Sequence, residues 1–124
     1  MFTPVSDAPV PYALRADRVN EPPTLFHLTP QTAGKTQSYL TRYATIASKG
    51  STNDPARGER LTRFDREHVL SCLTLVENAY AVGDEVSDAE GLAKIVGQLD
   101  FNSLQELITA AQSMTALKEQ EKNS

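Results

Sequence analysis

The chain has 124 residues, 40% of them hydrophobic and 23% charged, with a formal net charge of −4. One core typically serves ~100–200 residues, so a single domain is expected, and the acidic balance argues against a dedicated nucleic-acid binder. No apolar run approaches the ~20 residues that span a bilayer, and the single cysteine, Cys72, excludes an internal disulfide and fits a reducing compartment.

The opening MFTPVSDAPVP has neither a basic n-region nor an apolar h-region, so no secretory signal is expected and the cytoplasm is the default compartment. Charge is unevenly spread. Lys35 to Arg66 carries a balance of +4, and Glu67 to the end one of −7. Such asymmetry can steer an acidic partner to the middle or let copies associate head to tail; the plainer reading is two solvated faces of unlike sign.

In chain order, residues 1–9, with Pro4 and Pro9, read as a flexible arm. Val10, Tyr12, Leu14 and Ala16 alternate with Pro11, Ala13 and Arg15, the period of a half-buried strand that Pro11 restricts to an edge. Asp17–Pro23 (DRVNEPP) is turn chemistry, and Thr24–Leu28 (TLFHL) is a second short run. Residues 10–28 are therefore expected to form a β-hairpin resting on the helices or on a partner's sheet. Thr29 and Pro30 read as N-cap and first residue of a helix to about Ser48, with Tyr39, Leu40, Tyr43, Ile46 and Ala47 on one face. Residues 49–61 read as an exposed polar loop.

The stretch Phe64–Gly83 (FDREHVLSCLTLVENAYAVG) reads as the central helix, capped by Thr62 with Asp65 in the capping-box position. Val69, Cys72, Leu73, Val76, Ala79 and Tyr80 form one stripe; Phe64, His68, Leu75 and Val82 form a second. A helix apolar on two sides is usually buried between neighbours. Ser87 and Glu90 box a third helix with Leu92, Ile95, Val96 and Leu99 on one face. Ser103 with Glu106, or Asn102 with Gln105, starts a fourth with Leu104, Leu107, Ile108, Ala111 and Met114. Lys118–Ser124 (KEQEKNS) reads as a polar tail that frays. The expected fold is mainly α: about four helices bundled around the central one over residues 29–117, with an N-terminal β-hairpin and flexible termini.

No chemical signature stands out. Gly34, Lys35 and Thr36 resemble the end of a P-loop, but the position five residues before Gly34 is Thr29, followed by Pro30, which has no N–H to offer a phosphate. His68 and Cys72 lie at i and i+4, yet two residues do not make a zinc site. The other histidine, His27, falls in the hairpin, and Glu67 lacks the second histidine of an H-E-x-x-H pair. A free cysteine among Leu and Val is more simply a buried small hydrophobe, and as a Cys/His nucleophile pair the two lack access. Arg57, Arg60, Arg63 and Arg66, with Arg42 and Lys49, can grip an acidic protein or an RNA backbone. The spacing of Tyr39 and Tyr43 suits a core better than base stacking. Asp84/Glu85 and Asp88/Glu90 are accounted for by a connector and a helix N-terminus. No catalytic, cofactor-binding or metal residues are therefore expected, and no enzyme.

The segments PVPYALRADR…PPTLFHLTPQT and SLQELITAAQSMTALKEQEKNS resemble small tail-morphogenesis proteins of tailed bacteriophages, most nearly the tail assembly chaperones. The features carrying the likeness are a strand with a basic end, a Pro-rich turn, Phe26, Leu28 and Pro30 at a strand-to-helix junction, and a polar EKN tail. The resemblance implies a non-enzymatic helper in the host cytoplasm that binds the tape-measure protein, keeps it soluble and recruits tail-tube subunits. It also implies a longer, frameshifted product, with which Glu121-Lys122-Asn123 is compatible. Competing readings are a structural virion protein adding strands to a neighbour's sheet, and a phage-encoded inhibitor whose acidic half mimics phosphate.

Overall fold

The computed structural model describes residues 8–50 and 53–122, of which 115–122 as backbone only. The chain runs β1 (Val10–Tyr12), a 3-10 turn (Arg15–Asp17), β2 (Leu25–Leu28), α1 (Ala33–Ala47), α2 (Pro55–Cys72), β3 (Leu73–Glu77), β4 (Glu85–Val86), α3 (Ala89–Gly97) and α4 (Phe101–Lys122). The strands form one antiparallel sheet in the order β1-β2-β3-β4. This corrects the expected helical bundle. The fold is α+β, and the N-terminal hairpin is only half of a four-stranded layer. Most of the expected arm, residues 1–7, lies outside the described residues.

The largest correction falls on Phe64–Gly83. Its helix stops at Cys72, and Leu73 turns at once to an extended backbone (φ −86°, ψ 126°) while its N–H still bonds Val69 O. Leu73–Glu77 then pairs with β2, Phe26 opposite Val76 and Leu28 opposite Leu73 across a bulge. β-branched and aliphatic residues fit a pleated, half-buried surface, which LTLV can exploit once β2 is beside it. Phe26, Leu28, Leu73 and Val76 are buried in one core with Val69, Leu92, Val96, Leu104, Leu107 and Ile108 from three helices. The opposite face of the sheet is wetter: His27 Nε2 lies 2.8 Å from Glu77 Oε1 there, and Thr74 is exposed.

Helix boundaries move for identifiable reasons. The backbone of residues 29–31 is spent on tertiary bonds, Thr29 N–H to Cys72 O (2.8 Å) and Gln31 N–H to Ala111 O (3.1 Å). Helix α1 therefore begins after Thr32, whose hydroxyl accepts from Lys35 N–H. The expected loop 49–61 is largely helix: Asp54 caps α2 by accepting from Ala56 N–H, and Pro55 occupies the first turn. Strand β1 ends at Tyr12 because the chain is drawn into the 3-10 turn, where Glu106 accepts from both Tyr12 Oη (2.8 Å) and Arg15 N–H (2.9 Å). Asp88 caps α3 in place of Ser87, and Asp100 accepts from Ser103 N–H at the start of α4. Helix α4 continues through the expected tail as far as Lys122.

The turn between β3 and β4 is locked by its own side chains. Asp84 accepts from the N–H groups of Ala79, Tyr80 and Ala81, and Asn78 Oδ1 from Gly83 N–H. Asn78 (φ 58°) and Gly83 (φ 86°) supply the left-handed backbone this requires. Tyr80 and Val82, read as helix stripe residues, are instead exposed at its tip. Gly91 marks a close approach, since a Cβ there would meet Val86 Cγ1 at 2.6 Å.

If the sheet is part of the core, Leu28→Ala should lower stability by about 3 kcal/mol, the usual range for a buried Leu. Urea denaturation measures this. A loss below ~1 kcal/mol would mean that the sheet only decorates the helices.

Candidate functional site

Asp65 organises the helical layer. Placed by the sequence pattern in a first helical turn, it lies deep in α2 and is fully buried. Its Oδ1 accepts from Tyr39 Oη of α1 at 2.8 Å, and its Oδ2 accepts from Gln105 Nε2 of α4, which also lies 3.0 Å from Tyr39 Oη. A buried charge without such donors costs several kcal/mol. Burial first, and the bond to Asp65 second, push the Tyr39 pKa far up, so the phenol stays a donor. Its ring stacks on Phe64 (centroids 5.4 Å apart, 7° between planes) and lies 4.4 Å from His68. His68 Nε2 is 2.8 Å from Gln31 Oε1.

Beside this network opens a groove of about 860 Å³ between the end of α1, the first turns of α2 and the start of α4. Its floor is apolar, from Tyr43, Ala47, Leu61 and Phe101; its rim carries Arg57, Arg63, Arg66 and Glu59. The arginines drift around α2, as their three-residue spacing requires, yet the long side chains bring three of the four to one groove. Arg60 is the exception: it lies 3.8 Å from Asp54 and donates to Lys49 O. Arg57 Nε donates to Ala47 O at 2.7 Å. Arg66 Nε is buried and has no hydrogen-bond partner among the described residues.

No known family, curated protein or solved structure matches this chain. The site has to be read from its own residues.

The remaining candidates disperse. Lys35 lies in α1 after the Thr32 cap, so Gly34-Lys35-Thr36 is the first turn of a helix and not a phosphate loop. His68 and Cys72 do share a cleft with Lys35, but among the described residues no three of His, Cys, Asp or Glu converge as metal ligands. His27 is on the sheet with Glu77. Burial pushes the Cys72 thiol up to about 11, and its Sγ contacts Val69 O at 3.4 Å. No described helix is long and apolar enough to cross a membrane. Neither the groove nor the Asp65 network is legible in the sequence, because each needs three helices in register. The one available signal was Asp65 itself, an acid among apolar helical neighbours.

Two outcomes follow from burial. Cys72 should resist alkylation in the folded protein at about pH 8 and react once urea exposes it; mass spectrometry reads both states. Burial lowers the His68 pKa below its ordinary value, with Arg42 and Lys35 adding to the shift against an opposing pull from Asp65. The unfolded chain then takes up the proton first. Stability should therefore be full above pH ~6.5 and fall as pH drops from there through the lower folded pKa. In His68→Gln the fall in the urea midpoint over that window should shrink. An unchanged fall would assign it to other groups.

Proposed function

We propose that the chain is a non-enzymatic protein-binding module whose arginine-rimmed groove receives an amphipathic helix. Following the resemblance to tail assembly chaperones, the helix belongs to a phage tape-measure protein before tail assembly in the host cytoplasm. The observation that carries this reading is the pairing of an apolar floor with an arginine rim, one of whose guanidinium nitrogens is buried without an acceptor among the described residues. Apolar anchors at i, i+3 or i+4, and i+7 of a bound helix would fill the floor, and its flanking acids would meet the rim. Glu59 on the same rim and the commitment of Arg57 to Ala47 O favour a protein over a phosphate backbone. Covering the partner's apolar stripe removes it from water, which is how such a module would keep a long helical protein soluble.

Co-expression with a phage tape-measure protein provides the test. The wild-type chain should raise that protein's soluble fraction. Arg63→Glu and Phe101→Ser, at exposed rim and floor positions, should each weaken binding by at least ~10-fold, the worth of one good anchor. Equal solubility with and without the wild-type chain would sink the reading. Stoichiometric copies in finished particles would favour a virion component instead.

A further inference from the structure

A second cleft, of about 280 Å³, lies between α1, the end of α2 and the segment Thr29–Gln31. Lys35, Ser38 and Arg42 stand along its mouth at i, i+3 and i+7, one face of α1. Tyr39, Phe64 and His68 line its interior. Among the described residues no carboxylate lines this cleft. The ion pairs among the described residues are His27 with Glu77 and Arg60 with Asp54, so Lys35 and Arg42 have no acidic partner there. Arg42 lies over the Phe64 ring, 5.2 Å from its centroid, an arrangement that orients a guanidinium without using its N–H groups. Asp65 is not ion-paired with either cation: its two oxygens accept from Tyr39 and Gln105. Two exposed cations, of which Arg42 is oriented, a hydroxyl and a half-buried imidazole thus line a recess that has no carboxylate among its described lining residues.

We propose that this cleft binds a phosphate group, held by Lys35 and Arg42 with Ser38 as a third donor. A guanidinium, an ammonium and a hydroxyl offer donors in several directions, which suits a tetrahedral oxyanion better than a planar carboxylate. The site does not need a glycine loop, so it is independent of the P-loop likeness of Gly34-Lys35-Thr36. His68 is a built-in reporter. The groups acting on it are the opposing Asp65 and the two cations Lys35 and Arg42. A bound phosphate anion would offset the cations and draw the imidazole toward its protonated form.

Long-range 1H–15N NMR of the full chain follows the His68 ring through a pH titration in millimolar inorganic phosphate, or in chloride at matched ionic strength. Phosphate should raise the His68 pKa by about one unit. In the Lys35→Gln/Arg42→Gln double variant, which alters exposed side chains only, the phosphate-free pKa should rise and the added effect of phosphate should vanish. Glycerol phosphate matching inorganic phosphate would show that the group is recognised when carried on a small molecule; a shift with inorganic phosphate alone would assign the free ion. Identical titrations in phosphate and chloride, a phosphate effect surviving in the double variant, or an equal shift with acetate would each overturn the proposal.

Discussion

The carboxylate of Asp65 is fully buried and, among the described residues, has no ion-paired cation; what offsets its charge is donation from Tyr39 on α1 and Gln105 on α4. Removing one partner of a buried charge typically costs ~3–5 kcal/mol, so the three helices are held at one mutual spacing. That spacing reaches the surface. Tyr43, Leu61 and Phe101, in the floor of the groove, each lie four residues from one member of the network, about 6 Å along a helix axis. His68 and Arg42, three residues from Asp65 and Tyr39, belong to the smaller cleft. One buried network therefore supports both recesses: the groove is walled by helices alone, and the smaller cleft by two helices and the segment Thr29–Gln31.

An apolar triad at positions 39, 65 and 105 would pack as well and avoid the cost of desolvation. It would also tolerate sliding and rotation of the helices, since apolar contacts have no preferred direction. Hydrogen bonds to a buried carboxylate do not tolerate it, because a misplaced donor leaves the charge uncompensated. On the proposed reading the groove needs fixed walls, and the polar network supplies them where the core residues Leu104, Leu107 and Ile108 supply only cohesion.

The helical half of the fold was legible because apolar periodicity and caps point the same way along α3 and α4. The central stretch was not. Nothing between Cys72 and Leu73 breaks a helix, and helix and strand joined without Gly or Pro yield a continuous apolar run. The second stripe, Phe64, His68, Leu75 and Val82, arose from reading residues of α2, β3 and an exposed turn on one helical wheel. Thr29-Pro30 and Asp54-Pro55 present the same start signal, and only the second begins a helix. The difference is tertiary: Thr29 N–H is claimed by Cys72 O, a bond that exists only once β2 and the end of α2 are adjacent. The sites failed for the same reason. Arg57, Arg63 and Arg66 attracted notice as a charge run, but their apolar floor comes from three helices.

The sheet also bears on how a partner can be engaged. Strand addition needs an exposed edge with a row of free N–H and C=O groups. Here one edge is β1, three residues long with Pro11 at its centre, and the other is β4, two residues long. Proline has no N–H to donate, and two residues offer too few bonds to fix a register. Both edges are thus blunted in the manner of strands protected from pairing, which weakens the reading of the hairpin as a strand donor to a neighbour's sheet. The proposed reading therefore rests on the helical layer, where apolar residues and arginines line one groove. A helix seated there would bury side chains against fixed walls without asking the sheet to open.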